Sequence, residues 1–268
     1  MRGRADTLSG VETDRFAILM ASEESSIAVD EAALVIASHF HEGIDVEAQL
    51  AVLDQLAVGC GPSLDDVIGR VFGDLAFKGN SCGYYDQQNS FLDSVLDRRL
   101  GIPITLSIVL MSIARRAGRA MVGVGMPGHF LTQDVETGRF IDAFDGGALL
   151  DEHGCQRLFS QLHGPDARWH PSLLAPVGPR NIVRRMLNNL AQIALVEGDR
   201  TSRIIATRLR SLLPDASIGE RTELARAYES AGDFGRASCV LEAVAADAPP
   251  AEADGLRFAA AELRARLN

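Results

Sequence analysis

Residues 103–117 constrain this chain more than any other stretch, because they read as a helix without a polar face. Ile104, Leu106, Ile108, Val109, Leu110, Met111 and Ile113 surround its axis, with Pro103 in the first turn and Gly118 just past the last. Proline is pre-set for a first turn and glycine for the residue after the end. A helix that is apolar all round has to lie in the middle of a domain, walled by other elements. Three short segments that follow have strand character, at residues 120–126, 129–133 and 139–143, with Pro127-Gly128 as a turn or bulge and Glu136-Thr137-Gly138 as a hairpin turn. A central helix on a small antiparallel sheet is an α+β arrangement.

Upstream of it the walls are helical. Ala32, Val35 and Ile36, then Val46, Leu50, Leu53 and Leu56, recur at helical spacing and predict two amphipathic helices within residues 28–58, joined near Glu42-Gly43. A third is predicted over residues 64–72, after the Gly61-Pro62 break, with Ser63 as its cap. Residues 1–20 carry at most partial helical character. Residues 78–90 form a polar loop rich in glycine, asparagine and tyrosine, the kind of segment that lines a site when a rigid scaffold holds it. Asn89 or Ser90 suits the N-cap of a helix over residues 91–99 equally well.

The last ninety residues are helical and repetitive. Gly198-Asp199 recurs 34 residues later as Gly232-Asp233, the period of tetratricopeptide helix pairs. Leu224, Ala227, Tyr228, Gly232, Phe234, Ala237 and Leu241 take the interhelical positions of the second copy; Pro214 closes a degenerate first copy as Pro249 closes the second. Such pairs cannot bury their apolar faces alone, so the array is expected to lean on the front domain or on a terminal capping helix over residues 251–267. The division that results is a domain over residues 1–177 and a helical-repeat region over residues 178–268.

Charge and cysteine usage narrow the function. The net charge of −10 sits in the front part, since residues 178–268 hold 13 Arg against 12 Asp and Glu. An acidic front repels phosphate backbones, which argues against nucleic acid as a partner. The four cysteines show neither metal-ligand nor disulfide-framework spacing, and His39 and His41, two residues apart, face different sides of a helix. No apolar run reaches the roughly 20 residues of a membrane span, and Asp6, Glu12, Asp14 and Arg15 interrupt any secretory signal. The expectation is a cytoplasmic protein of reduced thiols, with no cofactor, metal or membrane association.

Gly101-Ile102-Pro103, Gly128-His129-Phe130 and Phe140-Ile141-Asp142 together have the order of a papain-like site. That chemistry needs a thiolate at a helix N-terminus, a base imidazole from a strand and a third group on the next strand to fix its tautomer. His129 and Asp142 supply the last two. With Asn89-Ser90, Leu92, Val95-Leu96 and Arg99, these motifs resemble the transglutaminase-like superfamily, and within it a bacterial subfamily of SirB-type invasion regulators that joins such a core to tetratricopeptide-like helices. The resemblance spans residues 27–250. It implies that His129 and Asp142 match the family's histidine and aspartate, and that Pro103 stands where the family has its cysteine.

Proline has no thiol, hydroxyl or amide N–H, so it can neither attack a carbonyl nor donate to an oxyanion. Two readings follow. One is a non-catalytic regulatory or protein-binding module, its pocket formed by Tyr85, Asn89, His129 and Asp142 with Ser107 and Phe130, and its C-terminal helices docking a protein or peptide. The other is a hydrolase or acyltransferase with His129 as base, Asp142 as its orienter and a displaced nucleophile, either Ser107, one turn deeper in the helix, or Cys82 in the adjoining loop.

Overall fold

The computed structural model of the protein describes residues 10–267. Its contacts divide the chain into two compact units, one of residues 23–186 and one of residues 1–22 with 187–268. The division falls inside a helix, Pro179–Glu197. The first unit is α+β.

In that unit the N-terminal helices fall where the spacing puts them: α2 (Val29–Ser38), α3 (Val46–Ala57) and α4 (Leu64–Ile68), after α1 (Gly10–Ala21) of the other unit. Residues 1–9 lie outside the described residues. Asp45 caps α3 by accepting the Ala48 N–H, and Ser63 and Asp66 form a reciprocal capping box on α4. Beyond Ile68 the backbone widens into a π-helical stretch, Gly69–Asp74. Two residues on each side, β1 (Lys78–Gly79) and β2 (Leu100–Gly101), then pair in parallel around α5 (Leu92–Arg98).

Helix α6 (Pro103–Arg116) is the buried axis that its sequence demands: Leu106, Ile108, Val109, Leu110 and Ile113 are fully enclosed. Burying such side chains contributes about 1.5–3 kcal/mol each, which makes α6 the main source of cohesion in the unit. Helices α2, α3, α4 and α5 wall it on one side. A five-stranded antiparallel sheet in the order β6-β5-β4-β3-β7 walls the other, built from β3 (Met121–Val124), β4 (Leu131–Asp134), β5 (Phe140–Asp142), β6 (Ala148–Leu150) and β7 (Pro176–Val177). Gly138, at φ +71°, closes the β4–β5 hairpin. Helix α7 (Glu152–His163) packs Cys155 and Phe159 against Val124, Met126 and Leu131.

Buried ion pairs lock the frame. The Arg119 guanidinium reaches both carboxylate oxygens of Asp134, at 2.6 and 2.8 Å, and Asp134 is wholly enclosed. Asp30, in the first turn of α2, receives Arg115 at 2.8 Å and Arg116 at 2.7 Å from the last turn of α6.

After α8 (Pro179–Glu197) the second unit continues through α9 (Arg200–Ser211), α10 (Ile218–Ser230), α11 (Phe234–Asp247) and α12 (Pro250–Ala265), each of these last four packed on the next. Gly198 and Gly232 both take positive φ, +71° and +81°, and the aspartates that follow them cap α9 and α11. The repeated dipeptide is therefore a repeated helix-turn-helix corner. Tyr228, Ala227, Leu224, Ala237 and Leu241 share one core with Ala260 and Leu263 of α12.

Candidate functional site

The start of α6 is tightly built. Ile102 is its extended N-cap, and its N–H donates to the Thr105 hydroxyl at 3.1 Å, which in turn donates to the Asn89 carbonyl at 2.7 Å. Pro103 follows as the first helical residue and is buried. The ladder β1–β2 sits just ahead of it, with Gly79 opposite Gly101. A side chain at Gly79 is excluded because its Cβ would lie 2.6 Å from the Phe144 carbonyl and 2.7 Å from the Phe144 ring.

Phe144 leads to the imidazole. Its ring stands edge-on to His129 at 6.3 Å and to Tyr84 at 5.8 Å. His129 Nε2 donates to Asp142 Oδ1 at 2.9 Å, and the same oxygen accepts the N–H groups of Phe144 at 3.0 Å and Asp145 at 3.3 Å. With the carboxylate oxygen as acceptor, the imidazole is held as the Nε2–H tautomer. Nδ1 is then the basic nitrogen, and it makes no hydrogen bond among the described residues. Both side chains are over nine-tenths buried.

His129 is not on a strand, contrary to the spacing argument; β4 begins only at Leu131, and His129 lies in the turn before it. That turn is fixed from several sides. Gly128 has φ +74°, and a Cβ there would meet His163 Nε2 at 2.8 Å. His163 donates to the Pro127 carbonyl at 2.9 Å, while Arg185 Nη2 donates to the Met126 carbonyl at 3.0 Å and the His129 carbonyl at 2.6 Å. The Arg185 guanidinium also lies 5.6 Å from the Phe130 ring.

The remaining predicted residues are placed unequally. Ser107 is fully enclosed, and its hydroxyl has no hydrogen-bond partner among the described residues. Cys82 is exposed. Neither bonds to His129. Asn89 is not a helix cap: Phe91 holds that position, with no side-chain cap. Its buried amide instead donates to the Gly83 carbonyl at 2.7 Å and the Tyr84 carbonyl at 3.3 Å, and its oxygen accepts from Asn80, so it ties the loop to itself. Tyr85 is 79% exposed and stacks on Tyr84 alone; Tyr84 is the tyrosine that faces Phe144. Phe130 is buried under Gly123 and Arg185.

Sequence reasoning missed Tyr84, Phe144, His163 and Arg185. Of these Tyr84 lay in the polar loop of residues 78–90 and Phe144 two residues after Asp142, while His163 and Arg185 stood next to no recognised motif. Burial pushes the Tyr84 phenol above its usual range and holds the Arg185 guanidinium below its own, and each feels the other's charge. No group of three His, Cys, Asp or Glu side chains among the described residues is arranged to hold a metal ion. His39 bonds the Val35 carbonyl and His41 pairs with Asp93.

Residues 46–188, more than half of the chain, match a family model described as Transglutaminase-like superfamily. A UPF0162 protein of Xylella fastidiosa is 39% identical over 152 residues, which is 54% of this chain and 54% of that protein. A UPF0162 protein of Pseudomonas aeruginosa is 30% identical over 181 residues, covering 64% and 67% respectively. F-box only protein 21 of Homo sapiens is 34% identical over 145 residues, half of this chain but 22% of that longer one. The chain thus matches about half the length of the Xylella relatives. No solved structure matches it.

Proposed function

The chain belongs to the transglutaminase-like superfamily, and we propose that it serves there as a non-catalytic recognition module of the SirB-type bacterial subfamily. Pro103 carries this reading. The helix start that would hold the attacking sulfur holds a ring without a nucleophilic atom, and no thiol or hydroxyl among the described residues bonds to His129. Nucleophile and base have to come within hydrogen-bond reach for covalent catalysis. The His129–Asp142 bond then serves to hold the turn and the β5 end together, and it presents a formed surface for recognition.

The helices α9–α12, with their repeated corners, are read as a tetratricopeptide-like array that docks a protein or peptide partner. No helix among the described residues is long and apolar enough to cross a membrane; the cytoplasmic assignment is part of the proposal.

A second reading, a hydrolase or acyltransferase with a displaced nucleophile, is favoured by one observation, the unbonded Nδ1 of a correctly oriented imidazole. The two are separated by assaying peptide, amide and ester hydrolysis with the wild type and His129→Ala in parallel, while thermal unfolding reports the fold. The non-catalytic reading expects lower stability in the variant and no turnover in either protein. Turnover that depends on His129 refutes it.

A further inference from the structure

The guanidinium that braces the His129 turn has no acidic partner among the described residues. Elsewhere in the same unit Arg119 meets Asp134, and Arg116 meets Asp30 and Asp54, while part-buried Arg99 lies over the Phe77 ring without an ion pair among the described residues. Arg185 forms no ion pair among the described residues. It bonds two backbone carbonyls through Nη2 alone, leaving Nε and Nη1 without hydrogen bonds there. A partly desolvated cation without a counter-charge is unfavourable in the free protein and gains by meeting an anion. Burial holds the Arg185 guanidinium below its ordinary range, and the His129 turn that it braces leads through the Phe144 ring to Tyr84.

Around it lie further unused polar atoms. The Tyr84 hydroxyl and His129 Nδ1 have no hydrogen bond among the described residues. Tyr84 is 38% exposed and Tyr85 79%, so the corner opens through aromatic rings rather than charged side chains. Phe144, between Tyr84 and His129, gives it an apolar floor.

We propose that Arg185 and Tyr84 form a binding site for the carboxylate of a peptide ligand, with His129 Nδ1 free to accept a backbone N–H of the same ligand and the ligand's neighbouring residues lying on Tyr84, Tyr85 and Phe144. A single guanidinium suits a singly charged carboxylate better than a phosphate dianion. The rings suit an apolar or backbone stretch next to it, as small-ligand sites combine apolar walls with few polar anchors. This rests on reading the core as a recognition module.

The test uses the full chain labelled with 15N and three acetylated probes: acetyl-Ala-Ala-Ala with a free C-terminal carboxylate, acetyl-Ala-Glu-Ala-amide, and acetyl-Ala-Ala-Ala-amide. Binding is followed by NMR titration of the Arg185 Nε–H and the His129 imidazole signals. Either carboxylate source should bind, and the neutral amide should bind at least roughly tenfold more weakly, the scale of one charge-assisted hydrogen bond. Arg185→Gln should weaken the carboxylate probes by a similar factor, roughly tenfold. Because Arg185 also braces the turn, Tyr84→Phe, which leaves that brace in place, provides the second variant and should weaken them several-fold. Equal binding of the neutral amide overturns the proposal, as does wild-type affinity in folded Arg185→Gln and Tyr84→Phe, or tighter binding of inorganic phosphate than of either carboxylate probe. Cleavage of a probe in the same samples would count against the non-catalytic reading alone.

Discussion

Replacing Pro103 with cysteine puts a thiol back where the superfamily geometry would have it, and its protonation reports whether the rest of the site is still poised. Two opposed effects act there. Position 103 is buried, and burial disfavours a thiolate; in this same protein it pushes the Cys155 thiol up to about 12. Against it stand the N-terminus of the 14-residue helix α6 and the imidazole of His129, held by Asp142 with Nδ1 unoccupied. A helix N-terminus with a neighbouring imidazole lowers a thiol to between roughly 3.5 and 7.5 from about 8.5. With a value of about 6.5, some 97% of the introduced thiol is ionised at pH 8; with a value near 12, roughly 0.01% is. Thiolate absorbance at 240 nm, as the difference between variant and wild type across pH 5–10, measures this directly and needs no access by a reagent. The substitution itself costs about 0.5–1 kcal/mol, through loss of the proline's restriction of the unfolded chain, so the fold survives it. The expected midpoint lies below 7.5 and rises when His129→Ala is added. A midpoint at or above 8.5, insensitive to His129, would show that the helix start and the imidazole do not face each other.

Other outcomes follow from single contacts. Ser107→Ala removes an enclosed hydroxyl that has no partner, so stability measured in urea should be unchanged or slightly higher, and no activity should be lost. Asp134→Asn removes the enclosed counter-charge of Arg119 and leaves it only the exposed Glu136, at 3.1 Å, so it should cost about 3 kcal/mol by the same measurement. Burial alone would raise the Asp134 and Asp30 carboxyls, but hydrogen bonds from Arg119 and Thr137 to the one, and from Arg116 and Arg115 to the other, hold both below the ordinary range. Their contribution to stability is therefore fully present above the unfolded value of about 3.9 and lost as pH falls through the lower folded values, so acid unfolding should set in below about pH 4 and the Asp134→Asn variant should lose less of its stability there. Gly128→Ala forces a side chain into a left-handed residue and onto His163, and should cost more than about 1 kcal/mol while shifting the His129 ring resonances.

Much of the fold was legible because it rests on local pattern. The all-apolar helix between Pro103 and Gly118, the Ser63 cap, the β4–β5 turn and the two Gly-Asp corners each carry their cause within a few residues. Helix α7 was legible but passed over: Cys155, Leu158, Phe159 and Leu162 have helical spacing, and Asp151 caps it through the Gly154 N–H. The candidate site divides the same way. His129 and Asp142 stand in short motifs, and they pair because the turn before β4 lies beside the end of β5. Arg185 lies 56 residues from the carbonyl that it braces, and nothing in its neighbours distinguishes it from Arg184. Asn89 looked like a cap because asparagine before a helix usually is one; a tight polar loop offered it three bonds instead. Tyr84 and Tyr85 are indistinguishable by type, and only the position of Phe144 separates them.

The account turns on whether the retained imidazole activates anything. The direct measurement is intact-mass spectrometry of the folded wild-type chain after exposure to fluorophosphonate and to epoxide- or vinyl-sulfone-type thiol probes, with His129→Ala treated alongside. The account predicts no adduct that depends on His129, and at most slow labelling of exposed thiols such as Cys82 at equal rates in both proteins. Stoichiometric labelling of Ser107 or Cys82 in the wild type that disappears in His129→Ala would contradict it.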